Sequence, residues 1–420
     1  MEEERREDIY AVIDLKSFYA SCECAARGLD IFSTPLVVAD RSRSENSIVM
    51  SVSPMLKERY RIPNVCRIGD LPKLENMIYA TPRMAYYINI SARVVSIFLD
   101  FVGEEDLHVY SIDESFLYLT PYLKLYGCSP EELCARIQKR IGDELGLVAT
   151  CGIGPNMFLA KVCLDNEGKK KPPFIGRWTM ADVKTKLWKI SPITKIWGIS
   201  HGIGGRLQRL GIRSMEALAK ADIRVLESEF GIIGTQLHNL ANGIDDSNIQ
   251  EKYEPKDTSL SIGQTLMRDY SPQEAKLILR EMCDDLCFRM RLEGKKAGRV
   301  SVMVGYSQEG SGGFSRQSSL NIATDDNDTL INAIYEIYDH FITNQPIRGL
   351  SICFSQLQSY EAIQHSLFES IEEAAERRSL RMAIDDIQIR YGKNSVLRAT
   401  SRLKGSTIME RHQQIGGHKA

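Results

Sequence analysis

The stretch VYSIDESFLYLT, residues 109–120, decides how the first part of this chain is read. Read as a strand, it puts Val109, Ser111, Asp113, Ser115 and Leu117 on one face. Tyr110, Ile112, Glu114, Phe116 and Tyr118 take the other, because side chains alternate across a strand. Two adjacent carboxylates, Asp113 and Glu114, then sit in the middle of an apolar run. A buried carboxylate without a partner is costly. Either this pair lies at a turn in water, or a cation meets it.

The flanking sequence supplies a frame. LHVYSI and SFLYLT join through Asp113 and Glu114, as in an antiparallel hairpin or a kinked strand. Downstream, SPEELCARIQKRIGDELG reads as a helix with Ser129 as N-cap, Glu131 and Glu132 in the first turn and Gly146 as the stop. LVATCGIG follows as a strand. Upstream, IYAVIDL is a short β-rich run that carries Asp14, PLVVAD and SIVMSVS look like two more strands, and 83–103 has helical periodicity. The order is βαββαβ, that of a ferredoxin-like domain. Its first and third strands are neighbours, so Asp14, Asp113 and Glu114 could converge and hold two hard cations. On spacing alone a second reading stays open: Asp14 caps a helix, and Asp113 with Glu114 forms an exposed turn.

Beyond that frame, 179–242 reads as several short helices with glycine-rich turns. QEKYEPKD is a polar linker. Residues 259–358 alternate helices with strands (RVSVMVGYS, RGLSICFSQL) as a second, small α/β domain, and a polar, partly helical tail follows. The 420 residues suffice for two to four domains, and 43% hydrophobic with 26% charged residues fits a soluble globular protein. The net charge of −2 gives no global signal for nucleic acid, so any basic surface is local. The ten cysteines include no CxxC pair, which argues against a zinc site or disulfide framework and for reduced thiols. MEEERRED is no signal peptide, and no apolar run has membrane-spanning length, so the expected location is cytoplasmic.

IDLKSFYASCE at 13–23, SIDESFLYLT at 111–120 and GIGPNMFLAK at 152–161 together resemble the signature set of the Y-family translesion DNA polymerases. The likeness is to the UmuC-like branch of Gram-positive bacteria and their mobile elements. It implies an α+β right hand: palm at 1–17 and 86–178, fingers at 18–85, a helical thumb at 179–247, a linker at 248–256, an α/β little finger at 257–358, and a tail at 359–420. On this resemblance Asp14, Asp113 and Glu114 bind two Mg²⁺ ions, with the Leu15 carbonyl as a further metal ligand. The reaction is transfer of a dNTP to a primer 3′-hydroxyl. Tyr19 would stack under the sugar and exclude a ribose 2′-hydroxyl, with Phe18 packed beside it at the nucleotide site.

The same resemblance places triphosphate contacts at Lys57 and at Lys169, with Lys170 one register step away. SVSPMLKERY departs from the family by carrying Pro54 where a tyrosine is expected and Lys57 near the position of an arginine. WGISHGIGGRLQRLGI resembles the thumb's helix-hairpin-helix, which holds a DNA phosphate through Gly198, Ser200 and Gly202. Ser200 replaces a glycine there and would be strained if the position requires positive φ. RMRLEGKKAGR supplies local cationic DNA contacts at Lys295, Lys296 and Arg299. QHSLF resembles the peptide that docks bacterial polymerases on the sliding clamp, with Gln364 as the polar anchor, Leu367 and Phe368 in an apolar pocket, and Ser366 within the same clamp-binding segment. The expected protein is a monomeric, error-prone DNA polymerase bound to primer–template DNA. The rival readings are a nucleotide cyclase-type palm enzyme and a non-catalytic DNA- and clamp-binding accessory.

Overall fold

The run YAVIDL becomes β1 (Tyr10–Leu15), buried along nearly its whole length. Apolar residues on both faces suit a strand flanked on either side, and β1 lies at the centre of its sheet. The fold is a computed structural model that describes residues 8–42, 44–63, 65–251, 255, 258–307, 312–360 and 371–420. The chain divides into two units, Met1–Lys252 and Tyr253–Ala420.

In the first unit β1 runs into α1 (Phe18–Ala25). A small sheet follows, from β2 (Leu36–Val38), β3 (Ser51–Val52) and β4 (Ile78–Ala80) in the order β3-β2-β4, with α2 (Pro54–Tyr60) inserted before β4. Next come α3 (Met84–Leu99), β5 (Leu107–Val109), β6 (Glu114–Tyr118), α4 (Thr120–Tyr126) and α5 (Pro130–Leu145). β7 (Ala149–Gly154), α6 (Met157–Cys163) and β8 (Ile175–Arg177) complete the layer. The main sheet has the order β5-β6-β1-β7-β8. Without the added edge strand β8 this is the ferredoxin-like arrangement, first and third strands adjacent.

Local chemistry explains the pieces. Ser129 and Glu132 form a capping box, Pro130 starts α5, and Gly146 ends it at φ +66. Leu133, Ile137, Ile141 and Leu145 then share the buried stripe. α6 lies against β7 because Gly152 has no side chain: a Cβ there would fall 2.3 Å from the Ala160 carbonyl. Residues 109–120 form a hairpin rather than one continuous strand. β5 stops at Val109, and Tyr110 and Ser111 both donate their amides to the Glu114 carbonyl. Asp113 therefore sits in the bend and Glu114 opens β6.

Five short helices close this unit: α7 (Asp182–Thr185), α8 (His201–Arg209), α9 (Met215–Ala219), α10 (Ile223–Phe230) and α11 (Ile232–Ala241). They pack around Leu187, Leu207, Met215, Leu226 and Leu237, continuous with Phe158 and Leu159 of α6.

The second unit contains β9 (Leu260–Tyr270), α12 (Pro272–Leu292), β10 (Lys295–Tyr306), β11 (Gly313–Thr324), α13 (Asn327–Phe341) and β12 (Ile347–Ser359). The sheet order is β11-β10-β12-β9, and its core joins Ile278, Met282 and Leu286 to Val300, Val302, Ile352 and Phe354. β9 and β11 escape a reading by apolar pattern because most of their residues face solvent. The tail folds as α14 (Ile371–Tyr391), α15 (Ile408–Arg411) and a hairpin of β13 (Gln414–Ile415) and β14 (His418–Lys419). It docks on α12: Arg291 pairs with Asp385 at 2.6 Å, and Asp285 takes Arg411 at 2.9 Å and His412 at 2.6 Å. Among the described residues, no helix is long and apolar enough to cross a membrane. The ten cysteines are free.

Candidate active site

Asp14 stands directly opposite Glu114 in the β1–β6 ladder, so both side chains leave the same face of the central strand pair. Asp113 is tied in next to them. The Leu15 amide donates to its carbonyl at 2.9 Å, and the Ser111 hydroxyl donates to its Oδ1 at 2.7 Å. Burial pushes the Asp14 and Glu114 carboxyls up, and nearby lysines oppose that rise.

Those lysines come from the chain after β7. Lys161 Nζ donates to Glu114 Oε2 at 2.8 Å and lies equally close to Oε1. Lys169 Nζ is 2.9 Å from Asp14 Oδ2. Both ammonium groups also hold Asp165 Oδ1, at 3.3 and 3.1 Å. A single π turn, Leu164–Gly168, continues α6 and sets this spacing. It ends with the Lys169 amide donating to the Leu164 carbonyl at 3.0 Å. With the extra residue in the turn, it is Lys169 whose ammonium meets Asp14.

The donor set suits hard divalent cations, being carboxylate oxygens and a backbone carbonyl. Two observations match that chemistry. The Lys169 ammonium occupies Asp14 as a stand-in cation, and Glu114 Oε1 is buried with no well-aligned hydrogen bond. Among the described residues, no three His, Cys, Asp or Glu side chains stand together in metal-holding geometry. Lysines separate the carboxylates that a metal would gather.

Beside the carboxylates lies a cavity of about 450 Å³, lined by Asp14, Leu15, Tyr19, Pro54, Lys57, Asp113 and Lys169 among others. Ser17 turns the chain at φ +49 between β1 and α1 and thereby aims the two aromatics. Phe18, 2% exposed, belongs to the core. Tyr19 faces the cavity and rests on Tyr87, ring centroids 4.9 Å apart. The Tyr87 hydroxyl donates to Glu23 Oε1 at 2.7 Å, and Glu23 also takes Arg83 at 2.9 Å and Arg27. Burial and the neighbouring Lys16 charge lower the Lys57 pKa. Lys161, Asp165 and Glu23 are the site residues that sequence reasoning passed over. The four-residue steps from Lys161 to Asp165 to Lys169 were the available signal.

Gly198 takes φ +87, but Ser200 has φ −69 and is unstrained, which corrects the expected strain. Its hydroxyl accepts from the Ile203 amide at 3.3 Å and caps α8, whose first turn carries exposed Gly202. In the second unit Lys295 donates to Ser359 at 2.8 Å, Arg299 to Ser319 at 3.3 Å, and Lys296 lies 5.0 Å from the Tyr360 ring centroid. Arg291, of the same basic stretch, is turned inward onto Asp385 and Asn327. Gln364, Ser366, Leu367 and Phe368 lie outside the described residues.

Comparison with known proteins agrees with this architecture. A Y-family DNA polymerase chimera superposes with a TM-score of 0.67 at 20% identity, covering 84% of this chain and 99% of its own. The fold is that of the Y-family DNA polymerases. Residues 13–165 match the impB/mucB/samB family and residues 257–367 match that family's C-terminal domain. UvrX of Bacillus subtilis (strain 168), a protein named for UV-damage repair, is 35% identical over 97% of both chains. DNA polymerase IV 2 of the same organism is 31% identical over 98% of this chain and 99% of its own. The chain belongs to the impB/mucB/samB family, the UmuC-like branch of the Y-family polymerases.

Proposed function

We propose that this protein is a template-directed DNA polymerase of the translesion type, which adds dNTPs to a primer 3′-hydroxyl opposite damaged bases. The observation that carries this reading is the facing of Asp14 and Glu114 across the central strands, with Asp113 at the adjoining bend. When bound there, two magnesium ions supply activation of the attacking hydroxyl and stabilisation of the leaving phosphate charge. The protein's own part is positioning. Tyr19 presents its ring as a floor beneath the sugar and leaves no room for a 2′-hydroxyl. Lys57 and Lys169 take the triphosphate as point charges, without the bidentate grip of arginine. The capped, glycine-bearing start of α8 holds a DNA phosphate, and Lys295, Lys296 and Arg299 give contacts independent of sequence. Residues 364–368 tether the enzyme to the sliding clamp.

The decisive experiment is primer extension with Mg²⁺, each dNTP separately, on undamaged and abasic templates. The wild-type protein extends both. Asp113→Ala or Glu114→Ala abolishes extension and leaves primer–template binding, read by anisotropy, within about twofold of wild type, because phosphate contacts elsewhere dominate affinity. Extension that survives either change removes these carboxylates from the mechanism.

A further inference from the structure

Asp14 holds a cation, the ammonium of Lys169 at 2.9 Å. The two lysines of the site differ in freedom. The Lys161 side chain is 8% exposed and fixed on Glu114 within α6, whereas that of Lys169 is 33% exposed and sits just past the π turn. Asp165 touches both, so Lys169 keeps a carboxylate partner at 3.1 Å even when it leaves Asp14.

We infer that Lys169 is an exchangeable counter-ion of the metal site. It neutralises Asp14 in the nucleotide-free protein, is displaced when a divalent cation arrives, and the freed ammonium, kept within reach by Asp165, turns to the incoming triphosphate. The inference rests on the polymerase reading of Asp14. It makes metal and nucleotide binding mutually dependent. The metal must displace the lysine, which costs metal affinity, and the displaced lysine then favours the nucleotide. Such coupling is reciprocal and typically changes affinity by about 5- to 150-fold. Lys169 therefore acts with opposite sign on the two ligands, which a lysine that only binds phosphate does not do.

Mn²⁺ is titrated into the full chain, free of DNA and nucleotide, with free Mn²⁺ read by electron paramagnetic resonance. Lys169→Ala should bind Mn²⁺ about fivefold tighter or more, and Lys169→Arg, which keeps the charge, should stay near wild type. In parallel, binding of a fluorescent dNTP in Ca²⁺ should weaken about fivefold or more in Lys169→Ala. Thermal melts confirm that each variant is folded. Unchanged or weaker Mn²⁺ binding in folded Lys169→Ala overturns the exchange. Asp14→Asn is the control for the underlying reading. If it leaves Mn²⁺ affinity untouched, the metal assignment itself fails. If it removes Mn²⁺ binding while Lys169→Ala has no effect, the exchange alone fails.

Discussion

Tyr19 is a sugar filter only if its ring cannot retreat. Behind it the Tyr87 ring is fully buried and its hydroxyl is fixed on Glu23, itself clamped by Arg83 and Arg27. The Tyr19 ring, proposed above as the filter, is thus backed by a second ring and an ion cluster. Tyr19→Ala should raise the rNTP:dNTP ratio of kcat/KM by about tenfold or more, the scale on which an apolar pocket rejects a small added group. Single-nucleotide incorporation kinetics check it, and an unchanged ratio frees Tyr19 from this role. Asp14 and the Asp113–Glu114 pair could be found in the sequence because carboxylates in apolar strands are conspicuous. Glu23 could not, since a glutamate in a helix is unremarkable until its partners arrive from residue 83 and beyond.

At the scale of elements, α5 was fully readable from its caps and its stripe. The hairpin of β5 and β6 was half readable: two adjacent carboxylates flagged a bend, but pairing fixed which one lies in it. The π turn was hidden, because it breaks the 3.6-residue period on which helical reading depends. The tail was hidden for another reason: its polar residues look solvated until they meet α12. There burial works against the Asp285 charge, but His412 and Arg411 hold its carboxyl below the usual range. A depressed carboxylate pKa adds stability above the ordinary value, and that stability is lost as pH falls through the folded one. Asp285→Asn should therefore destabilise the fold at pH 7 by about 3 kcal/mol, leaving the Arg411 guanidinium without its buried carboxylate partner. It should also flatten the loss of stability as pH falls from about 5 through the ordinary aspartate value and below it. Urea melts across that range test both, and a wild-type pH profile in the variant removes Asp285 as the cause.

Over the whole molecule the two units share the element order βαββαβ and differ in how strands are laid down. In the first, the leading strand is central. In the second, β9 lies at an edge. Element order therefore cannot supply topology by itself. The choice follows from burial: β1 is apolar on both faces, whereas β9 alternates. Total charge is equally uninformative about partners, because −2 averages over segments of opposite sign. The proposed clamp tether belongs to this scale, since it would govern residence on DNA rather than chemistry. Changing Leu367 and Phe368 together to Ala should remove clamp-stimulated synthesis and spare extension without clamp. Processivity assays with and without loaded clamp decide it, and persistent stimulation places the tether elsewhere.

The central position of β1 has a practical corollary. Asp14 lies on a strand paired on both flanks, opposite Glu114 on one side and Thr150 on the other. Its lysine counterpart rides on a short turn whose geometry depends on one surplus residue. On the exchange inferred above, a deletion or substitution in that turn, rather than in the strand, should shift the preference among divalent ions.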